Sequence, residues 1–116
     1  MILHELYNNY LSIDVSSLGA ELKSLRRADG KEFLWQGSAP YWQKSSPLLF
    51  PIIGNLRDAA YIWNGQRYEM SIHGFASSAE FELLDSSENC LQFCLKSSAA
   101  SKENYPFDFE LLVKYE

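Results

Sequence analysis

The chain has 116 residues, 47% of them hydrophobic and 22% charged, with a formal net charge of −5. That balance belongs to a folded globular segment rather than a disordered one, and the length suits one small domain with a modest core. The Lys and Arg residues are scattered rather than massed, so the counterion release that drives polyanion binding is missing and nucleic acid is not expected as a partner.

The opening residues, Met1-Ile2-Leu3-His4-Glu5, lack the basic segment and long apolar run of a secretory signal. No apolar run reaches the roughly 18 residues of a membrane span, so no membrane partner is expected and a cytoplasmic location is. Leu11, Ile13 and Val15 alternate with Ser12 and Asp14, the period of a strand with one buried face. Tyr7-Asn8-Asn9-Tyr10 reads as a hairpin turn, because Asn tolerates positive φ, and joins strands over Ile2–Leu6 and Leu11–Val15. A strand over Leu18–Leu25, a turn at Ala28–Lys31 and a third strand at Glu32–Trp35 follow.

Residues 36–46, with Gly37 and Pro40, read as an irregular loop. The run Leu48–Ile53 is apolar and associated with Pro47 and Pro51, which predicts a buried extended segment rather than a helix. Asn64-Gly65, between Tyr61–Trp63 and Gln66–Met70, is a strong hairpin signal, since both residues accept the positive φ of a type I′ turn. Leu91, Phe93 and Leu95 share one face of a strand, as do Phe107, Phe109, Leu111, Val113 and Tyr115 beyond the polar connector Ser97–Pro106. No stretch shows capped helical periodicity. The expectation is an all-β chain of about eight to ten short strands. The last alternation is still in step at Tyr115, so residues 1–116 read as a single β-sandwich segment, the N-terminal fragment of a longer domain.

Cys90 and Cys94 are the only cysteines. Four strand residues span roughly 13 Å, whereas a disulfide needs α-carbons within roughly 7 Å, so two reduced, half-buried thiols are expected. Two thiols and two distant histidines do not make a metal site.

Chemistry-bearing side chains gather at the ends of the stretch Trp35–Phe75. His73, before Gly74 and just past the predicted hairpin, fits a ring held by the backbone through one nitrogen with the other free for a ligand; it fits equally a turn histidine capping a strand. Arg57 leaves an apolar run where its guanidinium can fork onto ligand oxygens, or simply form a surface ion pair. Trp42, in the irregular loop, is the best candidate for stacking on a sugar ring, while packing accounts better for Trp63. His4 reads as structural. No pair of carboxylates is spaced for acid and base work on one face.

An ordered set of short matches spans essentially the whole chain. It comprises Leu18-Gly19-Ala20-Glu21-Leu22, Gly30-Lys31-Glu32-Phe33-Leu34-Trp35-Gln36-Gly37, Tyr41-Trp42, Pro47-Leu48-Leu49-Phe50-Pro51 and Gly54-Asn55-Leu56-Arg57. Asn64-Gly65-Gln66-Arg67-Tyr68-Glu69-Met70, His73-Gly74-Phe75-Ala76 and Tyr105-Pro106-Phe107 complete it. In these the chain resembles the aldose 1-epimerase (galactose mutarotase) family, in particular its LacX-like branch. Family members are considerably longer, so the resemblance is to their N-terminal portion. It implies part of a galactose mutarotase-like β-supersandwich and a cofactor-free interconversion of α and β aldose anomers by acid–base ring opening. It implies a sugar (aldohexose) partner, a catalytic and substrate-binding role for His73 at the ring oxygen, and substrate contacts from Arg57 and, more weakly, Asn55. The family's base, a Glu, and its second His belong to the C-terminal part, so this portion alone is expected to be inactive. Where many relatives follow His-Gly-Phe-Ala with Arg, this chain has Ser77, which argues against sugar-phosphate specificity. Two other readings are a non-catalytic carbohydrate-binding module and a segment whose open strand edges form a homodimer.

Overall fold

The computed structural model describes all residues, 1–116, as eight strands in three antiparallel sheets. β1 (Leu3–Tyr7), β2 (Leu11–Ser16) and β3 (Glu21–Arg27) form the first; β4 (Ala60–Trp63) and β5 (Gln66–Glu69) a hairpin; β6 (Glu82–Ser87), β7 (Cys90–Lys96) and β8 (Glu110–Tyr115) the third. The all-β architecture and strand count agree with the sequence pattern. No helix is long and apolar enough to cross a membrane.

The β1–β2 hairpin pairs Leu3 with Ser16 and Tyr7 with Ser12. Its turn sits where predicted but works differently. Asn8 does not adopt positive φ; its Oδ1 accepts the Tyr10 and Leu11 N–H groups at 2.8 and 2.9 Å, an Asx turn. The Asn64-Gly65 turn does use positive φ, at 51° and 78°. Leu18-Gly19-Ala20 is a tight turn before β3 rather than its first residues, with Gly19 and Ala20 at φ 73° and 46°.

Two predicted extended segments form no regular strand, and one predicted strand starts late. At Glu32–Trp35 only a single bridge, Arg26 to Glu32, survives. The Glu32 carboxylate folds back to accept the Leu25 and Leu34 N–H groups at 2.8 and 3.0 Å, together with the Ser24 hydroxyl, so the side chain takes donors that a ladder would need. The Leu48–Ile53 run is irregular and only part-buried: Ile53 is 80% exposed, and one parallel bridge joins Phe50 to Gly74. Pro47 and Pro51 lack the N–H that a ladder requires. In the last strand, the ladder starts at Glu110, not Phe107. β6 was not separately recognisable, because a bulge between Leu83 and Asp85 breaks its alternation.

The core lies between the two three-stranded sheets. Val15, Ala20, Ala76, Phe81, Leu91 and Phe93 are its buried members, and Leu48 and Phe50 pack against them. His4 is structural as expected, its ring edge-on to Phe93. Beside the core, Phe50, Phe75, Tyr105 and Phe109 form an aromatic cluster, and Trp63 extends it by packing on Phe107, which packs in turn on Tyr105. Both cysteines are free and buried, deeper than the half-burial expected.

Candidate functional site: a histidine clasped by a glycine turn

Two loops meet at the edge of the aromatic cluster. The Gly54 N–H donates to His73 Nδ1 at 2.8 Å, and the His73 N–H donates to the Gly54 carbonyl at 2.9 Å. A second tie lies at the base of the hairpin, where the Met70 N–H donates to the Ala59 carbonyl at 2.9 Å. Residues 54–59 are therefore held against 70–73 at both ends, which places Asn55 and Arg57 on the same clasped turn as His73.

Gly74 explains how the clasp is seated. Its φ is 77°, and a Cβ there would lie 2.1 Å from the Phe50 carbonyl oxygen. That carbonyl accepts the Phe75 and Ala76 N–H groups at 2.9 and 3.2 Å. Only glycine permits this approach. His73, Asp58 and Ala59 all hold positive φ, at 63°, 57° and 51°. Non-glycine residues adopt that region at a cost and concentrate where surrounding structure holds them for use.

The hydrogen-bond partner assigns the imidazole tautomer. A nitrogen that accepts from Gly54 carries no hydrogen, so in the neutral ring Nε2 carries it and is a donor. His73 is half-buried, with Asn55 and Arg57 exposed beside it. Arg57 takes part in no ion pair within the chain. His73 Nε2, the Arg57 guanidinium and the Asn55 amide offer hydrogen-bond donors suited to hydroxyl and ether oxygens, the Asn55 amide also accepts, and no carboxylate is bonded to the imidazole.

Trp42 is not joined to this group. Its carbonyl accepts the Trp35 Nε1–H at 2.7 Å and it bridges to Ser38, so its contacts stay within its own loop, and it is 50% exposed. The neighbouring Lys44 donates to the Ser77 carbonyl at 3.3 Å. No three His, Cys, Asp or Glu side chains converge on a point. A hollow of about 1000 Å³ is an open groove whose lining includes Leu6, Leu11, Ile13, Leu22, Leu25 and Tyr115. None of the four candidate residues lines it. Sequence reasoning missed Gly74 as a close-approach glycine and Glu21 as a buried carboxylate. The signal for Glu21 was a lone acid inside the apolar run from Leu18 to Leu22.

The family model described as aldose 1-epimerase matches residues 3–116. The chain belongs to the aldose 1-epimerase family. It is 39% identical to the plasmid and chromosomal LacX proteins of Lactococcus lactis subsp. lactis over 116 residues, covering 96% of this chain and 39% of theirs. Among solved structures it superposes on a galactose mutarotase related enzyme from Lactobacillus acidophilus with a TM-score of 0.96 at 35% identity, over 98% of this chain and 38% of that one. For a galactose mutarotase-like protein from Lactobacillus casei the TM-score is 0.94 at 32% identity, over 98% and 39%. The strands therefore form part of a galactose mutarotase-like fold, and this member of the family spans about two fifths of the length of those relatives.

Proposed function

We propose that this chain provides one wall of the sugar site of a cytoplasmic, aldose 1-epimerase-like protein that interconverts the α and β anomers of an aldohexose without a cofactor. The observation that carries the reading is the Gly54 N–H on His73 Nδ1, which leaves Nε2–H as a fixed donor. Ring opening requires a base at the anomeric hydroxyl and a proton or strong hydrogen bond at the ring oxygen. A neutral imidazole that gave up its Nε2 hydrogen would become an imidazolate, so His73 acts by hydrogen-bonding the ring oxygen as charge develops there, not by surrendering a proton. Arg57 and Asn55 bind and orient sugar hydroxyls, and Trp42 offers a stacking face from the adjoining loop. The proton-transferring acid and base lie outside this grouping, so the chain alone binds sugar weakly and does not accelerate mutarotation.

Polarimetry of freshly dissolved α-glucose and α-galactose tests this, with the chain compared against a counterpart of the relatives' full length. Acceleration by the longer protein, greatly reduced by His73→Ala, is the expected result. Silence from both, with millimolar sugar binding that His73→Ala and Trp42→Ala weaken, favours the second reading, a non-catalytic carbohydrate-binding module. That reading draws on the imidazole's one side-chain hydrogen bond, which comes from the Gly54 N–H and not from a carboxylate. Binding unchanged in His73→Ala rejects the site in either form.

The partner we propose for the free chain is a second copy. The radius of gyration is 16.3 Å, against about 13 Å for a compact chain of this length. The accessible surface of 7690 Å² is about 1,200 Å² above that of a compact monomer of this mass. β8 pairs only with β7, so its outer edge presents unpaired backbone groups. A strictly monomeric mass by light scattering at high concentration would reject self-association.

A further inference from the structure

Glu21, the first residue of β3, is only 4% exposed, and the shortest bonds of its carboxylate run outside β3. Oε1 accepts the Ser45 N–H at 2.7 Å and the Ser46 N–H at 3.1 Å, with the Lys23 ammonium at 3.5 Å. The Ser46 hydroxyl donates to the Leu22 carbonyl at 2.8 Å, a second tie between the same strand and the same loop. The Ser45 hydroxyl is buried without a partner, so it is the loop's backbone that Glu21 holds. Burying a carboxylate is costly unless such charge-assisted bonds offset it, and an apolar residue would serve a strand start as well.

What those bonds secure is the entrance to the segment that ends at the clasp. Pro47 and Pro51 lack N–H groups, and between Ser46 and Gly54 the only backbone hydrogen bonds are those of the Phe50 and Gly54 carbonyls. The segment is thus pinned at its start by Glu21, at Phe50 by the turn after Gly74, and at Gly54 by His73. We propose that Glu21 is a positioning residue: by fixing residues 45 and 46 it sets the seat of the segment through Gly54, and hence the orientation and tautomer of the His73 imidazole. Its functional meaning rests on the reading that His73 Nε2 faces the sugar; the structural claim does not.

The test is a long-range ¹H–¹⁵N spectrum of the ¹⁵N-histidine-labelled chain, with amide exchange rates measured for Gly54 and Phe93. The wild type is expected to show His73 as the Nε2-protonated tautomer with a protected Gly54 amide. Glu21→Ala should move His73 towards mixed tautomers and speed Gly54 exchange by about tenfold, the effect of losing one to two hydrogen bonds, with Phe93 unchanged. Glu21→Gln should restore the wild-type pattern, since its amide oxygen can accept the same two N–H groups. An unchanged His73 spectrum in Glu21→Ala overturns the proposal, as does equal acceleration at Phe93, which marks a general loss of stability. If Glu21→Ala does not fold, Glu21→Asp, whose carboxylate is one methylene shorter, is judged by the same two readouts. Neither readout uses sugar, so failure of the sugar-site reading leaves this result standing, and the converse.

Discussion

Gly74 and Gly54 sit one on each side of the clasp, with nearly equal φ of 77° and 78°, but they differ in what a methyl group would meet. At Gly54 nothing lies within 4 Å. Gly54→Ala therefore costs only the left-handed backbone, roughly 1 to 2 kcal/mol, offset by about 0.4 to 1 kcal/mol from the reduced freedom of the unfolded chain. The net is about 1 kcal/mol, and the backbone N–H at that position still reaches His73. At Gly74 the same methyl would lie 2.1 Å from the Phe50 oxygen, 2.5 Å from its carbon and 2.7 Å from Pro51 Cδ. The Phe50 carbonyl must withdraw, weakening both hydrogen bonds it accepts at about 1 kcal/mol each. Gly74→Ala should thus be destabilised by about 3 kcal/mol, about 2 kcal/mol more than Gly54→Ala. Urea unfolding of the two variants beside the wild type measures this, given equal m-values. Midpoints that place the two variants within about 0.5 kcal/mol of each other would show that the Phe50–Gly74 approach is not what seats the clasp.

Three further outcomes are expected. Burial pushes the Glu32 carboxyl up, but bonds from Ser24, Leu25 and Leu34 and the charge of Arg26 outweigh it and hold the group below the ordinary carboxylate range. Its stabilising effect is therefore full above the unfolded carboxylate pKa of roughly 4.3 and is lost as pH falls through the lower folded value; Glu32→Gln should flatten the acid limb of a urea-midpoint-versus-pH curve, and an unaltered limb refutes this. Burial raises the thiol pKa of Cys90, and burial with the neighbouring Glu110 charge raises that of Cys94, so both should react with a disulfide reagent only as fast as the native state opens; labelling at the rate of a free thiol would contradict their placement. Ala59→Gly, which relieves a positive φ of 51°, should stabilise the chain by about 0.5 to 1 kcal/mol in the same urea assay, and destabilisation would mean that the backbone there is not strained.

Features decided by near neighbours were legible in the sequence. Asn64-Gly65 specifies its turn through its own two residues, and Leu91, Phe93 and Leu95 report one face of β7 by alternation alone. Features decided by distant partners were not. The extended look of Glu32–Trp35 is real, but the carboxylate at its head turns to Leu25 and ends the ladder. Phe107 and Phe109 keep the strand alternation yet are drawn into the aromatic cluster beyond Pro106. His73, Arg57 and Asn55 are candidates by residue type alone, whereas the approach of their two loops depends on a bond between residues 19 apart, Gly54 and His73. Trp42 shows the converse, since its residue type suggests stacking but its own bonds, to Trp35 and Ser38, do not reach the clasp.

The strain gathered at this one place bears on function. Three non-glycine residues with positive φ, Asp58, Ala59 and His73, fall in the two clasped loops. Such conformations cost of order 1 to 3 kcal/mol each, a large share of the roughly 5 to 15 kcal/mol that stabilises a domain. Stability alone would favour glycine at those positions, and glycine does stand at Gly54 and Gly74 in the same loops. A histidine cannot be exchanged for glycine if its ring is needed, and here the ring is both bonded through Nδ1 and left with a donor at Nε2. Held by its own N–H, by its imidazole and by the glycine that follows it, His73 has little freedom to relax. These restraints suit the role proposed for His73, because a donor to a developing negative charge acts by being in place before the charge appears.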